Sequence, residues 1–420
     1  MNLKPMELLA PAGSPEKMKY ALAYGADAVY AGIPAFSLRA RINAFDLESL
    51  KEGVAYAHQK QKRFYVTLNI YAHNRHLKPL EKHLEKLGNI PLDGIIVSDP
   101  GVLSLVKKHL PKTEIHLSTQ ANATNWAAVR FWKEQGVQRV ILAREVTLPD
   151  IREIHRRVPD MELEYFVHGA MCMSYSGRCI LSKWMTGRSA NLGDCAQPCR
   201  WSYHIKKPLQ TIRTMTVEDR QQEWEIDLEE DRHGTYFFNS YDLNLLQYLP
   251  DLQQAGISSL KIEGRNKSVH YLATVVRAYR RHLDALKNPQ QAQKVLQTEL
   301  KNLDSLTHRG YTAGFLLENE PEHNFDNSHN PAQYEFVGEV LGKENGLIKI
   351  KAHNAIYKND QLEIISPQKN YAVKLLSIYN QDKQKVTSAH GGHSGYYYLE
   401  LDQSAEKYSL LRKRLQEPSP

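Results

Sequence analysis

Short apolar runs alternate with helix-length segments through the first two-thirds of the chain. They read ELLAPAG, AVYAG, RFYVTLN, GIIVSD, EIHLSTQ, RVILARE, LEYFVHG, YFFNSYD and SLKIEGR, most starting 20 to 35 residues apart. Strand-sized runs at that spacing predict strand–helix–strand units around a parallel sheet. Glycines mark the joints, since Gly25, Gly136 and Gly256 precede Val29, Val140 and Leu260 by four residues each. A glycine there closes one helix just ahead of the next strand. Nine runs are one more than a TIM-like (β/α)8 barrel needs, so the expected α/β barrel carries one accessory run, YFFNSYD or another.

Beyond SLKIEGR, Val269, Leu272, Val276, Tyr279, Leu283 and Leu286 follow a 3/4 spacing. That period predicts one long amphipathic helix over residues 267–287. From about Gln333 the texture changes to short β-like runs, YEFVGEVLG, LIKIKAH, DQLEIISP, YAVKLLSIY and YYYLEL, with turn-rich separators. The expected organisation is a barrel domain over 1–317, a polar linker over 318–332 and a small all-β domain, a barrel, over 333–420.

Within the first domain, the alternation along each run assigns faces. Leu260 and Ile262 share one phase, and Lys261, Glu263 and Arg265 the other; Ile115 and Leu117 oppose His116, Ser118 and Gln120. Val66 and Leu68 oppose Thr67 and Asn69, while His168 runs in phase with Phe166 and Glu164. In a parallel barrel the outward phase packs under helices and is apolar. The polar phase therefore fills the lumen toward the strand C-termini, where barrel enzymes keep their sites. A buried ion-pair network that only braces the barrel is the competing reading. Three charges on one strand face are costly to bury without close partners or a ligand, which favours a polar pocket.

Composition excludes some classes. Of 420 residues, 42% are hydrophobic and 24% charged, and no apolar run approaches the ~20 residues of a membrane span. The start, MNLKPMELLAPAG, lacks a charged region followed by an apolar stretch, so a cytoplasmic location is expected. The excess of 54 Lys and Arg over 47 Asp and Glu is compatible with a polyanionic partner without demanding one. Part of the acid is concentrated in EDRQQEWEIDLEED, residues 218–231.

All four cysteines, Cys172, Cys179, Cys195 and Cys199, fall within one stretch, residues 164–199, that opens on the LEYFVHG run. Cys172 lies four residues past His168, so a centre built on these thiols would cap the polar end of the barrel. The spacing C-x6-C-x15-C-x3-C fits paired zinc knuckles poorly and contains no C-x-x-C redox dithiol. Structural disulfides are rare in the reducing cytoplasm. An iron–sulfur cluster suits four thiolates at varied spacing, and a zinc site stays open beside it.

The segment EYFVHGAMC followed by GRCILS resembles the signature of the collagenase-like peptidase U-32 family. ELLAPAGSPEKMKYALAYGADAVYAG, the SDPG turn at 98–101 and SLKIEGRNKSVHY are similar to the same family over about residues 6–315 and onward into the β domain. CAQPCRW and HRGYTAGF resemble its tRNA-hydroxylating branch. This resemblance implies oxygen-independent hydroxylation of a wobble uridine to 5-hydroxyuridine, with prephenate as hydroxyl donor and tRNA, through its anticodon loop, as partner. It also implies a [4Fe–4S] cluster on Cys172, Cys179, Cys195 and Cys199, while other relatives act on a ribosomal RNA cytidine or on ubiquinone precursors. Proteolysis finds no support in the residues, which contain no H-E-x-x-H, no G-x-S-x-G and no cysteine outside the cluster. A non-catalytic RNA-binding protein with structural zinc remains a separate alternative.

For such chemistry the candidate catalytic residues are Lys261, Glu263, Arg265 and His168. Asn69 and Gln120, with His168, are expected to read a base edge. Arg39, Arg41, Arg144, Arg178 and Arg265 follow strand ends or sit in the cysteine loop, where guanidinium forks suit a small dicarboxylate.

Overall fold

The computed structural model describes residues 5–33, 36–37, 44–172, 174–192, 194–201, 214–218, 225–231, 234–235, 240–318, 333–392 and 395–415. They form two units: Met1–Met18, Asp27–Asn266 and His308–Asn330 make the first, and Lys19–Ala26, Lys267–Thr307 and Pro331–Pro420 the second.

The first unit is a closed parallel barrel. Its first seven strands are β1 (Glu7–Pro11), β2 (Ala28–Gly32), β3 (Arg63–Leu68), β4 (Gly94–Val97), β5 (Glu114–Leu117), β6 (Arg139–Ile141) and β7 (Glu162–Ala170). A small antiparallel sheet of β8 (Thr214–Glu218), β9 (Glu225–Asp231) and β10 (Gly234–Thr235) follows, then β11 (Asp242–Asn244) and β12 (Ile257–Ile262). Strand β12 pairs in parallel with both β1 and β7, which closes an eight-strand ring. Of the nine sequence runs, the one around Asp242 is the accessory one. Strand β11 lies antiparallel to β7, outside the ring, and carries β13 (Tyr311–Thr312) at its edge.

Helices alternate with the strands, among them α1 (Pro15–Ala23), α3 (Asn74–Leu87), α5 (Trp126–Glu134) and α8 (Leu249–Gln254), and the crossovers carry their own start signals. Asp46 caps α2 (Leu47–Gln59) in a capping box with Ser49, and Asp99 of the SDPG turn caps α4 (Pro100–His109) with Pro100 in the first turn. Thr147 and Asp150 form the capping box of α6 (Leu148–Arg157). The joint glycines Gly25, Gly136 and Gly256 all have positive φ, at 103°, 79° and 95°. A side chain is strained in that left-handed region, so these helices end where the sequence repeats its glycine. Gly13 serves another need, since a Cβ there would stand 2.0 Å from the Arg265 carbonyl oxygen.

The outward strand phase is buried as its composition requires. Val66, Leu260 and Ile262 have no exposed surface, and burying each such side chain contributes roughly 1.5–3 kcal/mol.

The second unit holds α9 (Val269–Ala285), α10 (Pro289–Asp304) and an antiparallel sheet of eight strands. One long helix was expected near here over 267–287. A second one follows it, because Asn288 caps α10 and Pro289 opens it. The sheet runs from Tyr334 to Arg414, with a core of Val337, Ile350, Ile364, Ile378, Leu399 and Leu411. Arg277 of α9 donates to the Ser366 carbonyl oxygen at 2.9 Å, and Arg412 of the sheet donates to Ser305 Oγ at 2.9 Å. Most of the expected linker lies outside the described residues. No helix among the described residues is long and apolar enough to cross a membrane.

Candidate active site at the cysteine-rimmed mouth of the barrel

The polar lumen is layered. At its floor, Arg139 reaches Glu7 at 2.6 Å, Glu162 at 2.7 Å and Glu164 at 3.2 Å. Ser259 Oγ donates to Glu7 and to Glu164, both at 3.1 Å, and Lys261 Nζ meets Glu164 at 2.7 Å. Burial opposes ionisation of Glu164, but Lys261 and Arg139 outweigh it and hold the carboxyl at about 2. Burial lowers the Lys261 pKa, against the pull of Glu164. His116 is buried in the same layer against the Tyr65 ring at 4.7 Å, and desolvation lowers its pKa against the pull of Glu114.

Above this layer the lumen opens into a cavity of about 430 Å³. Among the expected site residues, Lys261, Glu263, Arg265, Asn69, Gln120, Arg144, Arg178 and all four cysteines line it. Arg265 Nη1 donates to Ser37 Oγ at 3.3 Å and to Thr67 Oγ1 at 3.2 Å, which fixes its head in the wall. Tyr30 Oη donates to the Ile262 carbonyl oxygen at 2.9 Å and lies 3.4 Å from Glu263 Oε2. Asn69 Nδ2 donates to Ser118 Oγ at 3.4 Å, and the buried Gln120 Oε1 accepts no hydrogen bond among the described residues. The Arg144 guanidinium lies 3.9 Å from the centre of the Phe166 ring.

His168 is placed elsewhere. Lys261 pairs with Phe166 and the next residue, Ile262, pairs with His168, so Val167 is an extra residue in β7. Such a bulge reverses the phase of everything after it. His168 therefore follows the outward Ile262, does not line the cavity, and lies with its ring 5.6 Å from that of Tyr311, itself stacked at 4.0 Å on His308. Arg39 and Arg41 lie outside the described residues. Tyr30 was not singled out from the sequence, although its phase between Val29 and Ala31 points it inward.

The cysteine segment is tied to the barrel mouth by side-chain bonds. The backbone of Ser176 has a positive φ of 43°, a conformation held by its N–H donating to Glu145 Oε1 at 2.5 Å and by its hydroxyl donating to Glu145 Oε2. Arg178 Nε donates to Tyr71 Oη at 2.8 Å and to the Gln120 carbonyl oxygen at 3.0 Å. The Cys179 N–H donates to Asn191 Oδ1 at 3.2 Å, and Ser182 Oγ donates to the Arg188 carbonyl oxygen at 2.8 Å. Glu145 and Asn191 gave no signal in the sequence, since each works only through a neighbour distant along the chain.

All four cysteines lie outside disulfides and line one cavity, Cys172 exposed and the other three partly so. The donor set has the type and number that a four-thiolate centre takes, although the four thiols are not drawn together into a coordination site. Among the described residues no three His, Cys, Asp or Glu side chains converge closely enough to hold a metal ion.

A parallel barrel with an ionic floor and a thiol-lined mouth is the arrangement of a barrel enzyme with its site at the strand C-termini. Residues 13–326 match peptidase family U32 and residues 332–412 match the peptidase family U32 C-terminal domain. The chain belongs to the peptidase U32 family. It is 40% identical to tRNA hydroxylation protein P of Haemophilus influenzae, across 97% of this chain and 96% of that protein. It is 36% identical to the 23S rRNA 5-hydroxycytidine C2501 synthase of Escherichia coli over 67% of this chain and 40% of that one. With a collagenase of Porphyromonas gingivalis it shares 31% identity over 76% of this chain and 75% of that protein.

Proposed function

We propose that this protein is a tRNA-modifying enzyme that converts a wobble uridine to 5-hydroxyuridine without molecular oxygen. The observation that carries the reading is the single cavity in which four cysteines share walls with Asn69, Gln120, Glu263, Lys261 and Arg265. The near full-length relation to tRNA hydroxylation protein P supports tRNA as the substrate class. An anticodon-loop base is already unpaired, so it enters such a pocket at modest cost. A cavity of about 430 Å³ lies within the ~300–1,000 Å³ of small-ligand sites.

In this reading Gln120 and Asn69 hydrogen-bond the base edge, with the bare Gln120 Oε1 positioned to accept an N–H. Arg144, Arg178 and Arg265 hold a small dicarboxylate; prephenate is the one that the family resemblance implies. Replacing the C5 hydrogen by hydroxyl oxidises the base by two electrons, so the hydroxyl donor is reduced by two. A [4Fe–4S] cluster on Cys172, Cys179, Cys195 and Cys199 supplies one-electron chemistry when bound. Lys261 keeps a cation beneath the cavity, and Glu263 is the carboxylate placed to move a proton beside it.

The test is deletion of the gene, growth with and without oxygen, and mass spectrometry of tRNA nucleosides. Loss of 5-hydroxyuridine and its 5-carboxymethoxy derivative, restored by the wild-type chain and not by Cys172→Ala, is expected. Unchanged tRNA with lost hydroxycytidine in ribosomal RNA would overturn the choice of substrate.

A further inference from the structure

Five of the eleven large apolar side chains exposed among the described residues fall within residues 175–201: Tyr175, Ile180, Trp184, Met185 and Trp201. Trp184 is 79% exposed and Ile180 75%. A monomer gains nothing by holding a tryptophan and an isoleucine in water, and clustering at one place marks a contact surface. Its position is specific. Ile180 lines the cavity while standing exposed, so it belongs to the rim. Trp184 comes four residues later in the short helix α7 (Leu181–Thr186), which puts it on the same face as Ile180. Its neighbours on the rim are cationic. Arg178 and Lys183 are exposed, and the one acid between 174 and 201, Asp194, is already paired with Arg188 at 2.8 Å.

We propose that Trp184 and Ile180 form a stacking step at the cavity rim, on which the nucleotide next to the modified base rests. The inference depends on the RNA reading above and adds to it how the loop is gripped. Aromatic side chains interleaved with cations are the composition that holds single-stranded nucleic acid, because every base offers a flat face and every linkage an anion. A second copy of the chain fits less well. Residues 174–201 contain four basic side chains and one acidic, a net of +3, and two such faces would repel each other.

The experiment uses the full chain and two fluorescently labelled RNAs, an anticodon-type hairpin with a uridine at the wobble position and a fully paired duplex of the same stem. Trp184→Ala should weaken hairpin binding about tenfold, while Trp184→Phe stays within about threefold of wild type. Duplex binding should be equal for all three proteins, with equal melting temperatures, since the side chain is exposed. Hairpin binding by wild type that Trp184→Ala leaves unchanged would overturn the stacking step and leave the RNA reading standing. Failure of the wild-type chain to bind the hairpin would overturn both. Sedimentation of the same samples supplies the last arm: a dimer that Trp184→Ala dissolves would assign the patch to self-association and overturn the inference.

Discussion

The floor and the mouth of the barrel are built from the same strand phase, yet they treat polar groups in opposite ways. At the floor Glu7, Arg139, Glu164, Ser259 and Lys261 bond one another within 3.2 Å. At the mouth Asn69, Gln120, Arg144 and Arg178 face a cavity, and four thiols stand on its wall. The two readings of an inward polar phase, brace or pocket, thus divide by depth. Lys261 belongs to both, because it pairs with Glu164 below and lines the cavity above.

The largest contrast should come from the thiols. Replacing Cys172, Cys179, Cys195 or Cys199 by Ala should each lower tRNA hydroxylation by at least about a hundredfold, roughly 2.7 kcal/mol or more of barrier, in a chain whose barrel still melts cooperatively. Activity within a few-fold of wild type in any of the four would remove that residue from the centre.

At the floor the effect should be on folding. Arg139→Met or Lys261→Ala removes one of the two cations paired with the buried Glu164 carboxylate, and breaking such a buried pair costs about 3–5 kcal/mol in denaturant unfolding. For Lys261→Ala, activity should fall as well. A floor variant as stable as wild type would make the network dispensable. The same pair predicts acid lability. The folded pKa of Glu164, about 2, lies below its ordinary value of 4.5, so its contribution is complete above about pH 4.5 and is lost as pH falls through the folded value. That shift corresponds to about 3 kcal/mol between pH 4.5 and 2, and Glu164→Gln should flatten this part of the stability profile.

The smallest change in stability belongs to the mouth. Gln120→Ala should alter unfolding by less than about 1 kcal/mol, since its Oε1 accepts no hydrogen bond among the described residues. Hydroxylation should fall about tenfold. Equal activity with lower stability would move Gln120 from the pocket to the scaffold.

Most of the barrel was legible because buried parallel strands are written as apolar runs and three of the helices end at a left-handed glycine, Gly25, Gly136 or Gly256. The four thiols were legible because their clustering is local. What escaped depends on contacts made across the chain. Val167 is apolar on either face, so the bulge that turns His168 outward leaves no mark in the pattern. Glu7 and Arg139 read as the polar ends of ELLAPAG and RVILARE, and only ring closure brings them together with Glu164. Helix α10 was missed since its stripe is interrupted by Gln, Lys and Asn, although Asn288-Pro289 is a clear start.

The most direct measurement of the central claim is iron, sulfide and zinc analysis of the full chain purified without oxygen. The account predicts a brown protein with about four iron and four sulfide per chain, losing its visible absorbance in each of the four cysteine variants. A colourless protein with about one zinc per chain would contradict it.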